Sequence, residues 1–286
     1  MLNDKHLEPE DYIDPACPFC TEQYEKEPPV RRIPEDRVLA KLDALLSRRD
    51  YSGAERLLGS WLAEAVEGRD LRGEFLLRNE RLGLFRKLGR REETLGEADA
   101  VLALVEKLGI GDTVGAATAY VNAGTAKKAF GLASDALPLF ESARRIFESV
   151  PRPDPFRLGS FYNNYALALS DCGRYGEARR LFSLALDVMG TLEGSEPERA
   201  VTWLNLADLA AAEAGMTGEA ERTDEAAERE IEDCLGRAEE LLDTPGLARD
   251  GNYAFVCEKC APVFDWYGWF LYAKELRRRS EEIYGR

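Results

Sequence analysis

Histidine is almost missing from this chain of 286 residues, whose only one is His6. A Ser-His-Asp or Cys-His arrangement would have to recruit it, and its place in a polar N-terminal stretch reads as a solvated tail residue. Excess positive charge is missing too. The formal net charge is −15, whereas a nucleic-acid surface needs a basic face to neutralise phosphates, so nucleic acid is not an expected partner. No apolar run approaches the ~18 residues that span a bilayer, so no membrane partner is expected. The opening MLNDKHLEPEDYIDP lacks the apolar centre of a secretory signal. Six cysteines are too few for a disulfide scaffold at this length and fit a reducing, cytoplasmic setting.

What is present is a period. Gly89, Gly131, Gly173 and Gly215 fall 42 residues apart, and Ala136, Ala178 and Ala220 repeat the step, as do Ala143, Ala185 and Ala227. Small residues recurring at matched points between amphipathic stretches mark one helix–turn–helix unit copied along the chain. Such a unit buries its apolar face only by stacking on its neighbours. Residues 1–33 stand apart. They hold five prolines and many acids and show no helical periodicity, which reads as an extended arm. Repeat logic starts at Pro34-Glu35-Asp36, which suits a first helical turn. The organisation is thus an acidic Pro-rich arm over 1–33 and a helical repeat domain over 34–286.

The clearest unit is residues 159–190, where Tyr162, Ala166, Gly173, Tyr175, Ala178, Phe182 and Ala185 resemble the tetratricopeptide repeat (TPR) at seven of its signature positions. Residues 117–150 follow through Tyr120, Gly124, Gly131, Ala136, Phe140 and Ala143. Weaker units carry Leu42, Tyr51 and Ala54, then Leu82, Phe85 and Gly89. A fifth carries Trp203, Leu206 and Ala207 with a second helix expected over about 217–243. A last one holds Ala261, Gly268, Phe270, Ala273 and Ser280. The resemblance implies an all-α, right-handed α-solenoid of about six helix pairs. The eight residues beyond the 34-residue TPR unit add about 12 Å of helix at ~1.5 Å per residue.

A TPR-like array implies a binding surface rather than a catalytic cleft. By the resemblance, the first helix of each unit lines a concave groove, which here places Asn79, Glu80, Arg86 and Lys87 on it from the second unit, and Asn122, Thr125 and Lys128 from the third. The next two units supply Asn163, Asn164, Asn205 and Asp208. Side-chain amides suit a bound peptide backbone because each offers a donor and an acceptor. The competing reading has the asparagines packing locally between helices. Arg86, Lys87 and Lys128 would attract an anionic segment, and the acidic arm is a candidate internal occupant of the groove.

The expected function is therefore a non-enzymatic adaptor or regulator that binds a protein or peptide segment. Long-unit TPR arrays also occur as sensor domains of bacterial regulators, an analogy of fold alone. An enzyme using groove carboxylates is the weaker rival, because no pair is singled out by spacing. Gly109, Gly111 and Gly115 mimic a phosphate loop, but no strand precedes them. They read as a helix stop followed by an Asp112 or Thr113 cap.

Two CxxC pairs, Cys17/Cys20 and Cys257/Cys260, allow a second expectation. Four thiolates make a tetrahedral zinc site, which would join the arm to the last repeat as a zinc-stabilised structural module. Against it, Cys257 and Cys260 occupy repeat positions usually filled by packed apolar groups, and cysteine often serves as a small buried hydrophobe. No other cofactor is implied. The aromatic group Phe264, Trp266, Tyr267, Trp269, Phe270 and Tyr272 either caps the array or mediates a homodimer.

Overall fold

The computed structural model describes residues 28–215 and 224–285. Among these, all regular structure is helical. The chain divides into two compact units, Met1–Pro151 and Arg152–Arg286. The first holds α1 (Glu35–Leu46), α2 (Tyr51–Glu67), α3 (Leu71–Lys87), α4 (Arg91–Leu108), α5 (Val114–Ala129) and α6 (Ala133–Ser149). The second holds α7 (Pro155–Asp171), α8 (Tyr175–Met189), α9 (Glu196–Glu213), α10 (Glu225–Leu242), α11 (Gly251–Trp266) and α12 (Phe270–Tyr284). Odd-numbered helices are the first members of six pairs and even-numbered ones the second. Each first helix packs on its own partner, and α3, α7 and α9 also pack on the next first helix. Thus α3 lies against α4 and α5, α7 against α8 and α9, and α9 against α10 and α11.

The period has a backbone cause. Gly89, Gly131, Gly173 and Gly215 all have φ between +68° and +78°, the left-handed conformation that ends a helix and that glycine adopts without a Cβ penalty. In the first pair Arg49 takes the same role at φ +56°. The small residues of the period are buried where helices meet: Ala136 and Ala178, like Ala143 and Ala185, are shielded from solvent, as are Phe140 and Phe182 between them. Gly124 marks the tightest approach. A Cβ there would stand 3.0 Å from the Phe140 ring, so the absent side chain of α5 leaves room for the ring from α6.

Helix starts follow local chemistry. The side chains of Asp50, Asp70, Asp154 and Asp250 each accept from the amide three residues on, satisfying a donor that the helix leaves unpaired. Gly109 is left-handed at the end of α4, and Thr113 Oγ1 caps α5 by accepting from the Ala116 amide. The three glycines near 109–115 are therefore a helix stop and a cap, as expected. One expectation needs correction. The second helix of the fifth pair does not run from about 217, because Asp224 is extended and its carboxylate caps Ala226 and Ala227, so α10 begins at Glu225. Residues 216–223 lie outside the described residues, as does Ala220.

The N-terminal boundary also takes a definite form. Val30 and Arg31 donate their amides to Gly68 O at 2.9 and 3.1 Å. The Ile33 amide donates to Asp70 Oδ2 at 2.9 Å, while Asp70 Oδ1 accepts from Gly73 N. Arg31 pairs with Glu64. Residues 30–33 thus form a strap across the α2–α3 corner, seated closely because Gly68 and Gly73 carry no side chain. A Cβ at Gly68 would lie 2.5 Å from Arg31 O, and one at Gly73 2.7 Å from Ile33 Cγ1. Residues 1–27, including His6, Cys17 and Cys20, lie outside the described residues.

Candidate functional site: an amide cleft on the first helices

The asparagines expected to line a groove form two rungs, one in each unit. In the first unit Asn122 Nδ2 on α5 donates to Asn79 Oδ1 on α3 at 3.2 Å, and Asn79 Nδ2 donates back to Phe75 O at 2.9 Å. In the second unit Asn205 Nδ2 on α9 donates to Asn163 Oδ1 on α7 at 3.0 Å. Asn164 stands outside this pairing and donates to Ser160 O at 2.8 Å. By the TPR register, Asn122, Asn164 and Asn205 fall on one equivalent repeat position. The packing instead pairs Asn79 with Asn122 and Asn163 with Asn205, because adjacent first helices meet at the 42- to 43-residue step. Each rung is a net gain of about 0.5–1.5 kcal/mol, and it aligns neighbouring helices as well as presenting polar groups.

The basic residues do not join the rungs. Arg86, Lys87 and Lys128 lie in or beside the C-terminal turns of α3 and α5, where cations are favoured by the helix dipole. Lys87 sits over the Tyr51 ring on α2, 5.1 Å from its centre. Asn79 is eight residues, or about 12 Å of helix, from Lys87. Glu80 is held above the ordinary carboxylate range, first by burial and then by Asp43. The Thr125 hydroxyl is buried without a partner. Asp208 accepts from Tyr267 Oη at 2.9 Å, so it is engaged with the last pair.

In the second unit the rung opens onto a cleft of about 230 Å³. Its base is Gly159, Met189, Val201 and Val256, and its polar lining includes Ser160, Asn163, Asn164 and Thr202. Gly159 makes room for Met189, since a Cβ would lie 2.7 Å from Met189 Cγ. Asn252 Nδ2 donates to Glu198 Oε1 at 2.9 Å, which satisfies that carboxylate at the rim. Phe156 and Phe255 stand on the two sides, 48% and 43% exposed. Among the described residues no hydrogen bond occupies Asn163 Nδ2 or Asn164 Oδ1. The cleft lining therefore holds an unoccupied amide donor on Asn163 and an unoccupied amide acceptor on Asn164, together with two apolar rings. Such a pair matches the C=O and N–H of a peptide group.

The two phenylalanines were not among the groove residues read from the sequence. Phe255 had a usable signal, because it stands two residues before Cys257, at a groove-facing position of the repeat. Phe156 precedes its unit and carries no repeat signal. Also unforeseen was the charge network of the first unit, in which Glu97 on α4 accepts from Arg78 at 3.0 Å and Arg81 at 2.6 Å, while Arg78 reaches Glu74 at 2.8 Å.

Cys257 and Cys260 are 0% and 1% exposed inside α11. Burial pushes both thiols up, Cys260 to about 12, so they are protonated at neutral pH. Cys17 and Cys20 lie outside the described residues, and among the described residues no group of three or more His, Cys, Asp or Glu is placed to hold a metal. Among the described residues no helix is long and apolar enough to cross a membrane.

No protein-family model matches the chain, and no curated protein matches it in sequence. Among solved structures, BtubC (BKLC) from P. vanneervenii is similar at 20% identity, over 72% of this chain and 78% of that one, with a TM-score of 0.57. A protein from Podosopora anserina described as a kinesin light chain with nearly identical TPR-like repeats aligns at 19% identity. That match covers 72% of this chain and 92% of that one, with a TM-score of 0.48. The fold is TPR-like.

Proposed function

We propose that this TPR-like helical array is a non-enzymatic adaptor or regulatory module that holds an extended segment of a partner protein in the α7–α9–α11 cleft. The observation that carries this reading is that the free donor of Asn163 and the free acceptor of Asn164 line one cleft with exposed Phe156 and Phe255. Two amide bonds orient the segment backbone, and the rings receive an apolar side chain. The lining is mostly uncharged, which suits an uncharged stretch of the segment at this point. The acidic chain makes nucleic acid a poor partner, and the reading places the protein in the cytoplasm.

Selection of displayed peptides on the full chain, followed by calorimetry, tests the proposal. Asn163→Ala and Phe255→Ala should each weaken the selected peptide about five- to thirtyfold, since each removes an interaction of about 1–2 kcal/mol. Asn79→Ala in the first unit should leave its affinity unchanged. Equal affinity in all three variants would sink the cleft assignment. Repeating the titration without residues 1–27 tests occupation by the arm, which requires tighter binding once the arm is gone.

A further inference from the structure

The aromatic run at the C-terminal end divides into two sets. Phe264 is fully buried, with the Trp269 and Tyr272 ring centres 5.6 and 4.8 Å from its own, and Tyr267 is tied to Asp208. These residues complete the last helix pair. Trp266, Phe270 and Leu271 do the opposite and are 76%, 65% and 87% exposed at the α11–α12 corner.

Repeat packing does not require them. Superposing the turns on their left-handed glycines sets Trp266, Phe270 and Leu271 where the second pair has Lys87, Arg91 and Glu92. The third pair has Ala129, Ala133 and Ser134 there, and the fourth has Asp171, Tyr175 and Gly176. Only the last pair fills all three places with large apolar groups. Clustered exposure of this kind marks an interaction site.

The surrounding charge favours one occupant. On α12, Lys274, Arg277, Arg278 and Arg279 stand against Glu275, Glu281 and Glu282, a balance near zero in a chain of −15. Arg277 pairs with Asp265, and Arg278 with Glu275 and Glu282. These neutralised cations leave little to attract an anionic membrane, while a second acidic chain meets little repulsion here. Area points the same way. An aromatic side chain buries ~150–250 Å², so two of them with Leu271 supply about half of the ~800 Å² per partner typical of a stable interface.

We propose that Trp266, Phe270 and Leu271 form the centre of a two-fold interface with a second copy of this chain. The contact is isologous, each corner meeting its own copy. Sedimentation of the full chain from about 1 to 200 µM, spanning micromolar Kd values, provides the test. The expected result is a monomer–dimer equilibrium that is weakened at least ~30-fold by Trp266→Glu or Leu271→Glu, with unchanged circular dichroism because both side chains are exposed. A wild-type chain that stays monomeric would overturn the proposal. So would a dimer that survives the double substitution, or one lost only on removing residues 1–27. Sedimentation of a monomeric chain with anionic vesicles would also overturn it, assigning the corner to a membrane.

Discussion

The two units repeat one construction and treat its surfaces differently. Both bury the same alanine and phenylalanine step, and both join adjacent first helices by an asparagine rung. In the first unit the inner amide of the rung is spent on Phe75 O, and the α2–α3 corner beside Gly68 and Gly73 is covered by the chain's own residues 30–33. In the second unit the rung leaves an amide free in a cleft flanked by phenylalanines, and the α11–α12 corner is bare. The lesson is that periodicity governs the interior, where every repeat must bury the same face, but not the surface, where each repeat is free to differ.

The largest effect that checks this comparison is in the core. Phe140→Ala and Phe182→Ala remove equivalent fully buried rings, and each should cost about 3–5 kcal/mol. Urea unfolding of the two variants should show similar losses. A gap of more than about 2 kcal/mol would break the equivalence of the two interiors.

A smaller effect sharpens the contrast between covered and bare corners. Asp70→Ala removes both the α3 cap and the acceptor of the Ile33 amide, for a cost of about 2 kcal/mol. Limited trypsin digestion should then cut faster at Arg31 and Arg32. Unchanged cutting would mean that other contacts hold the strap.

The smallest effect is in reactivity rather than stability. With Cys17 and Cys20 replaced by Ser, Cys172, which is half-buried, should react promptly with a thiol reagent. Cys234, Cys257 and Cys260 should react only on unfolding, because burial shields them and holds the Cys234 and Cys260 thiols at about 12. In the unsubstituted chain, a melting temperature raised by stoichiometric zinc would restore the four-thiolate site, since binding to the folded state alone stabilises it.

Much of the architecture was legible in the sequence because its causes are local or periodic. Gly173 ends a helix wherever it occurs in such a turn, and Ala178 and Ala185 announce close helix contact by their size. The start of α10 was missed because the acidic, alanine-rich sequence after Gly215 satisfies helical periodicity, whereas Asp224 is extended and caps a helix that begins at Glu225. The rung partners were missed for a different reason. Sequence position identifies which side chains face a neighbour, but a shift of one residue between Asn163 and Asn164 is settled by how two helices slide against each other.

The sequence by itself determined the helix-pair repeat, its 42-residue step, the left-handed turns and the residues that must be small. These follow from backbone geometry and burial within one unit and its neighbours. Tertiary structure decided that Asp70 fastens a strap, that Asn163 rather than Asn164 meets Asn205, and that Phe264 turns inward while Trp266 and Leu271 face solvent. Each of these depends on groups tens of residues apart or on which face of a corner is left uncovered, and neither is encoded in a period.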